Sequence, residues 1–270
     1  MTSKFLLGSL AASCVVAVMA YGAIAQQTKP FEPTYGQAGK DVVWVPTAQG
    51  LVDRMLDMAK LTPKDIHMDL GSGDGRTGIT AAKRGAKATG IEFNPDMVAL
   101  SRRNAAAAGV GDKAVFIQGD IFKTDFSKAT VITLFLLPDL NLRLRPQLLD
   151  MKPGTRVVSN SFDMGDWTPD EDVAATGECT SYCRAMLWIV PAKVQGTWQT
   201  GQGDLTLTQT FQNLSGSLKS GGSAMPISNA KMRGDEITFT AGGKTYKGRV
   251  AGNKMDGTVS DGGKWQAIRS

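Results

Sequence analysis

Three glycines at alternate positions after a short strand constrain this chain more than any other feature. The run Ile66-His67-Met68-Asp69-Leu70 reads as a strand, Gly71-Ser72-Gly73-Asp74-Gly75-Arg76 follows, and residues 78–84 are helical in character. Glycines there permit a tight turn and let backbone N–H groups come close to a ligand. The surroundings repeat the same alternation. Residues 51–59 carry apolar side chains at helical spacing, and residues 88–92 form a second strand. Residues 96–108 form an Ala-rich helix stopped by Gly109, and residues 114–117 a third strand. Residues 129–137, dense in Val, Ile, Leu and Phe, suit a fourth strand buried on both faces. A helix over 142–149 and strands over 155–161 and 184–190 complete the pattern. Short connections between alternating strands and helices argue for a parallel sheet with helices on both faces.

Two carboxylates stand in register with the glycines. Glu92 ends the second strand, 21 residues after Gly71, where a carboxylate can accept both hydroxyls of a ribose. Asp120, in Gly119-Asp120-Ile121, follows the third strand, where an acid can meet an adenine amino group. Successive strand ends put all three elements on one edge of the sheet, where open α/β folds bind ligands. A plain strand–turn–helix corner would explain the glycines, but not the two acids.

These residues resemble class I S-adenosylmethionine-dependent methyltransferases, which carry Asp-x-Gly-x-Gly-x-Gly followed by such acids. A nicotinamide-binding domain would want Gly-x-Gly-x-x-Gly instead. Trp44-Val45-Pro46-Thr47, Asp69 to Arg76, Gly90-Ile91-Glu92-Phe93-Asn94-Pro95 and Ser101-Arg102-Arg103-Asn104-Ala105 together look like the ATP synthase c-subunit lysine methyltransferase family and its bacterial relatives. The likeness covers about residues 42–165. It implies S-adenosylmethionine as cofactor, with Gly71, Ser72, Gly73 and Gly75 around its methionine part and Asp69 ordering the turn. Glu92 would hold the ribose, Asp120 and Ile121 would bracket the adenine, and Pro46-Thr47 would cover the cofactor. Leu136-Leu137-Pro138-Asp139 would line the methyl-transfer channel. Many relatives that methylate amino groups of bases or amides carry Asn/Asp-Pro-Pro-Tyr/Phe at that place, and this chain does not. That argues against base or amide methylation of nucleic acid; the acceptor the resemblance implies is a protein lysine, with another small nucleophile as the wider expectation. Trp44, Asp139 and Asn141 are candidates to face it. The rival reading is a catalytically silent binding module for a nucleoside-like ligand or a partner protein in the cell envelope.

Composition changes near Pro191-Ala192. Residues 192–270 hold 14 of the 31 glycines and alternate with period two, as in Asp204-Leu205-Thr206-Leu207-Thr208. They read as a small all-β barrel or sandwich, with Trp198 and Trp265 in its core. They carry 10 Lys and Arg against 5 Asp and Glu, so the net +5 of the whole chain belongs to them. Without an aromatic–basic stripe this is weak evidence for nucleic acid, which is not the expected partner. It allows docking to an acidic membrane surface, beside the plainer reading of a solvated β surface.

The first 25 residues read as an export signal: Lys4, an uncharged stretch over 5–25, and Ala23-Ile24-Ala25 as a cleavage site. An uncleaved anchor is the alternative. Residues 26–191 then form the cofactor domain, outside the cytosol. Removal of Cys14 with the signal leaves Cys179 and Cys183, a disulfide candidate in an oxidising compartment. Two free thiols, or a metal pair lacking its other ligands, are the alternatives. The single histidine, His67, excludes a multi-histidine metal site, and no metal is expected. It reads as a core residue beside the glycine turn rather than a catalyst.

Overall fold

The first seven strands form one sheet in the order β3-β2-β1-β4-β5-β7-β6 in a computed structural model that describes residues 1–2, 30–174 and 179–270. The expected export signal falls on residues outside those described, apart from Met1 and Thr2. Strands β1 (Ile66–Leu70), β2 (Lys87–Glu92), β3 (Ala114–Gln118), β4 (Val131–Leu134) and β5 (Arg156–Asn160) pair in parallel. β7 (Arg184–Ile189) runs antiparallel between β5 and β6 (Glu171–Ala174). The chain steps outward from β1 through β2 to β3, then crosses back to β4 on the other side of β1. That reversal opens a crevice at the carboxyl ends of β1 and β4.

Both faces of the sheet are covered. On one face lie α1 (Gln49–Met58), α2 (Arg76–Lys83) and α3 (Pro95–Ala107). Val52, Leu56, Ile79 and Val98 of these helices pack with Ala88, Ala114 and Phe116, and Leu51 and Met55 with Val131 and Val158. On the other face α4 (Pro138–Leu149) presents Leu140, Leu144 and Leu148 to Met68, Leu70, Ile132 and Leu134. Adjacent residues of β1 and β4 therefore enter opposite cores, and all four residues of β4 are buried.

Two expected boundaries move and one strand is new. The fourth strand stops at Leu134 rather than residue 137, because Phe135 and Leu136 leave the sheet to line the crevice. The helix expected from residue 142 begins at Pro138. Proline fits the first helical position, since its missing N–H would have had no helical partner there. β6 lies at the sheet edge with residues Glu-Asp-Val-Ala that alternate between exposed and half-buried, so it carries no apolar signature.

The change of sheet falls between Ile189 and Gly196. The second sheet has nine strands, from β8 (Gly196–Thr200) to β16 (Lys264–Arg269). β11 (Ser223–Pro226) pairs with β10 (Asn213–Ser220) outside the ring, which leaves eight. β16 pairs with β8, and β9 (Gly203–Thr210) with both β8 and β10, so the antiparallel meander closes as a barrel rather than a sandwich. Closure leaves the eight without a free edge. Trp198 is fully buried and its indole N–H donates to the Val194 carbonyl at 2.8 Å. Phe239 and Tyr246 stack at 4.7 Å, with Trp265 edge-on to both. The barrel joins the first sheet through Gln212, whose amide donates to the Thr168 carbonyl at 2.7 Å, and through the stacked pair Trp167–Phe211.

Trp198→Ala is expected to destabilise the protein by about 3–5 kcal/mol, as deletion of a buried aromatic ring does. A urea midpoint that barely moves would show that the barrel does not rest on this ring.

Candidate functional site

The glycine turn is stitched to the neighbouring strand end. Gly71 and Ser72 N–H both donate to the Ile91 carbonyl at 2.9 Å, and Gly75 N–H to the Ser72 carbonyl at 2.9 Å. The Glu92 carboxylate completes the join, accepting Gly73 N–H at 3.0 Å on one oxygen and Asn94 N–H at 2.9 Å on the other. A carboxylate has about four acceptor sites, so Glu92 keeps capacity toward the crevice, where ribose hydroxyls can donate.

Two glycines here have distinct reasons. Gly73 has φ +53°, and a Cβ would stand 2.9 Å from the Trp44 indole nitrogen. Gly75 has φ +85° and starts α2, where a Cβ would meet Phe116 and Ser101 at 2.7 Å. Gly71, Ser72 and Gly73 line the crevice, together with Asp69, Glu92, Asp120 and Ile121. Gly75 does not: it lets α2 pack on β3 and α3.

Behind the turn runs a buried polar chain. Thr133 Oγ1 donates to Asp69 at 2.7 Å and lies 2.9 Å from His67 Nε2. Thr133 has one proton to give, so His67 Nε2–H is the donor to it. Burial pushes the Asp69 carboxyl up to about 7; the Thr133 bond opposes this, and nearby Asp74 and Glu92 add to it. Burial also holds His67 down to about 4, so it is neutral and supports Thr133 from within the core.

The segment before α1 closes the crevice from above. Its turn is held by Trp44 N–H to the Gln37 carbonyl at 2.9 Å and Gly39 N–H to the Val42 carbonyl at 3.0 Å. Trp44, Pro46 and Thr47 all line the crevice. Arg76 ties them down, binding Asp74 at 2.6 Å and the Thr47 carbonyl at 2.9 Å. Lys40 is a site residue that the sequence does not announce. It lies in an irregular turn with no periodic signal, yet it reaches Asp120 at 3.2 Å and Asp41 at 3.1 Å, with its ammonium 5.1 Å from the Phe93 ring centroid. The Phe122 N–H and Lys40 hold the Asp120 carboxyl below the usual range, so it is ionised.

The segment after β4 divides. Leu136 and, one turn later, Leu140 line the crevice. Pro138 and Asp139 are exposed in the first turn of α4 and do not, because the chain has already turned into the helix. Asn141 does not face an acceptor either. It is 0% exposed, and its amide donates to the Phe162 and Asp163 carbonyls at 3.1 Å each. Cys179 and Cys183 form a disulfide in the structure.

The crevice suits S-adenosylmethionine. Gly71 and Gly73 leave open the space that Cβ atoms would fill. Glu92 and Asp120 present carboxylates for hydroxyl and amino groups, and Phe93, Ile121 and Leu136 supply apolar walls. Fold and site together define a class I S-adenosylmethionine-dependent methyltransferase.

Comparison with known proteins narrows the class. The model of the ANTKMT methyltransferase domain matches residues 69–171. The chain is 45% identical over 133 residues to a protein named protein-lysine N-methyltransferase from Saccharolobus islandicus, covering 48% of this chain and 83% of that protein. It is 36% identical over 136 residues to the ATP synthase c-subunit lysine N-methyltransferase of Mus musculus, covering 50% of this chain but 53% of that protein. A crystal structure described as an RNA methyltransferase from Salinibacter ruber with S-adenosyl-L-homocysteine is 47% identical, with a TM-score of 0.52, covering 56% of this chain and 96% of that one. The chain belongs to the family of the adenine nucleotide translocase and ATP synthase c-subunit lysine methyltransferases.

Asp69 gives the site a pH signature. Its ordinary value is 3.8 and its folded value about 7. The folded value is raised, so its contribution to stability is full below about pH 4 and is lost as pH rises toward about 7. Asp69→Asn should remove that loss, so urea midpoints of wild type and variant diverge across this window, to the variant's advantage at the upper end. Parallel profiles would contradict a buried, ionisable Asp69.

Proposed function

We propose that the protein transfers the methyl group of S-adenosylmethionine to the ε-amine of a lysine in an acceptor protein. The observation that carries this reading is the meeting of the Gly71–Gly73 turn, Glu92 and Asp120 in one crevice at the sheet's reversal point. The lysine acceptor is supported by the 45% identity to the Saccharolobus islandicus protein, most of whose length the chain spans. It is also supported by Leu136-Leu137-Pro138-Asp139 standing where relatives that methylate amino groups of bases or amides carry a different tetrapeptide.

Bound S-adenosylmethionine brings an already activated methyl, so the protein's task is binding and orientation. Glu92 fixes the turn and keeps acceptor sites for a ribose. Asp120 stays ionised at the adenine end. Trp44, Leu136 and Leu140 exclude water from the reacting end. His67, neutral and enclosed behind Thr133, positions Asp69 through Thr133.

Export is part of the proposal. It is supported by the uncharged stretch over 5–25, which ends in Ala23-Ile24-Ala25, and by the Cys179–Cys183 disulfide, a bond that persists in oxidising compartments.

The test is a digest of cell-envelope proteins after incubation with the purified protein and methyl-labelled S-adenosylmethionine. Label in Nε-methyl-lysine, found by mass spectrometry, is the expected result. Label in RNA, or none in any fraction, would contradict it.

A further inference from the structure

The cofactor crevice opens on a second groove with an aromatic floor. The two share Phe135, Leu136 and residues 38–43 of the covering segment. They meet near the glycine turn, since Leu136 stands 3.1 Å from the Cβ position of Gly71. The floor is made of Phe135, Phe162 and Tyr182. Phe135 and Phe162 are 6.1 Å apart and near parallel; Tyr182 stands 5.3 Å from Phe135 and 5.8 Å from Phe162. Phe135 follows β4, Phe162 follows β5 and Tyr182 precedes β7. These strands are neighbours, so three adjacent strand ends contribute one ring each.

The rings do not behave as core. Tyr182 is 42% exposed, and Leu137 and Val43 beside it are 45% and 57% exposed. Yet the floor is held firmly. Asn141 and Ser159 both bind the Phe162 carbonyl, at 3.1 and 2.7 Å. Tyr182 has φ +55°, costly for a residue with a Cβ, inside the short loop closed by Cys179–Cys183. Strain held in place around an exposed ring points to use rather than packing.

The groove holds about 380 Å³, room for a lysine side chain. Aromatic faces are electron-rich and accept an aliphatic stem or an ammonium, and repel anions. Lys40, the cation on the rim, is turned to Asp120 and Phe93. That leaves the floor to a cation from another chain. Resting on the lysine acceptor proposed above, we infer that Phe135, Phe162 and Tyr182 form the floor of the acceptor-lysine port. The Cys179–Cys183 bond holds the Tyr182 ring in it. The ammonium is received over the rings, and the path from there into the crevice runs past Leu136.

The probe is Nα-acetyl-Nε-trimethyl-lysine amide, a permanent cation on a lysine stem, added to the full chain saturated with S-adenosylhomocysteine. Proton NMR should show its N-methyl resonance shifted upfield by the rings, while Nα-acetyl-norleucine amide stays unshifted. Phe162→Leu and Tyr182→Leu should each weaken probe binding by about tenfold, a usual scale for one cation–ring contact. Tyr182→Phe should restore it to within about twofold. Reduction of the disulfide should act like Tyr182→Leu. Calorimetric titration with S-adenosylhomocysteine should be unchanged in every variant, which shows that each is folded. A wild type that binds S-adenosylhomocysteine but leaves the N-methyl resonance unshifted overturns the port. So does a shift that survives both leucine variants. A wild type that does not bind S-adenosylhomocysteine overturns the methyltransferase reading itself, and the port with it.

Discussion

The carboxylate of Glu92 joins two neighbouring strand ends, and the candidate site is built on that joint. One oxygen takes the amide of Gly73 and the other the amide of Asn94. The glycine turn is thereby fixed against the end of β2, and α3 starts from the same anchor, with Asn94 capping its first amides. An amide side chain, with one oxygen, could not take the two N–H groups on separate oxygens. The same carboxylate that shapes the turn faces the crevice, so fold and ligand site share one residue.

Charge is graded along the crevice. Asp69 is enclosed at one end, with its ionisation delayed by burial. Asp120 lies at the other end, ionised and held by Lys40. Glu92 stands between them. A ligand with a cationic amino-acid part, a ribose and an adenine meets these three acids in turn, and its apolar surface meets Phe93, Ile121 and Leu136. Positioning of this kind needs no proton relay, which accords with a single histidine kept neutral inside the core.

Much of this is legible in the sequence, for a physical reason. Gly71, Gly73, Glu92 and Asp120 lie at strand ends, and strand ends in a parallel sheet are fixed by hydrophobic periodicity. Asn141, Pro138 and Asp139 fall outside the site because they follow a strand whose end the apolar run 129–137 conceals. Leu136 is as apolar as a strand residue, yet it turns into the crevice. β6 is not legible because an edge strand with polar, half-buried residues lacks the pattern of a central one. Lys40 and Tyr182 sit in loops, where position depends on tertiary contacts and, for Tyr182, on a covalent bond between two cysteines. The aromatic floor draws its rings from three separate loops, so no spacing along the chain announces it. The barrel is legible as alternating strands, but its closure is not. Closure depends on pairing between β16 and β8, the last and first strands, which no local signal encodes.

A crystal structure of the full chain with S-adenosylhomocysteine tests the central claim most directly. The expected result is ligand across the reversal point, with its amino-acid part over Gly71 and Gly73, its ribose on Glu92 and its adenine beside Ile121 and Asp120. Ligand bound elsewhere, such as at the barrel mouth, or a crevice that stays empty at saturating concentration, would contradict it.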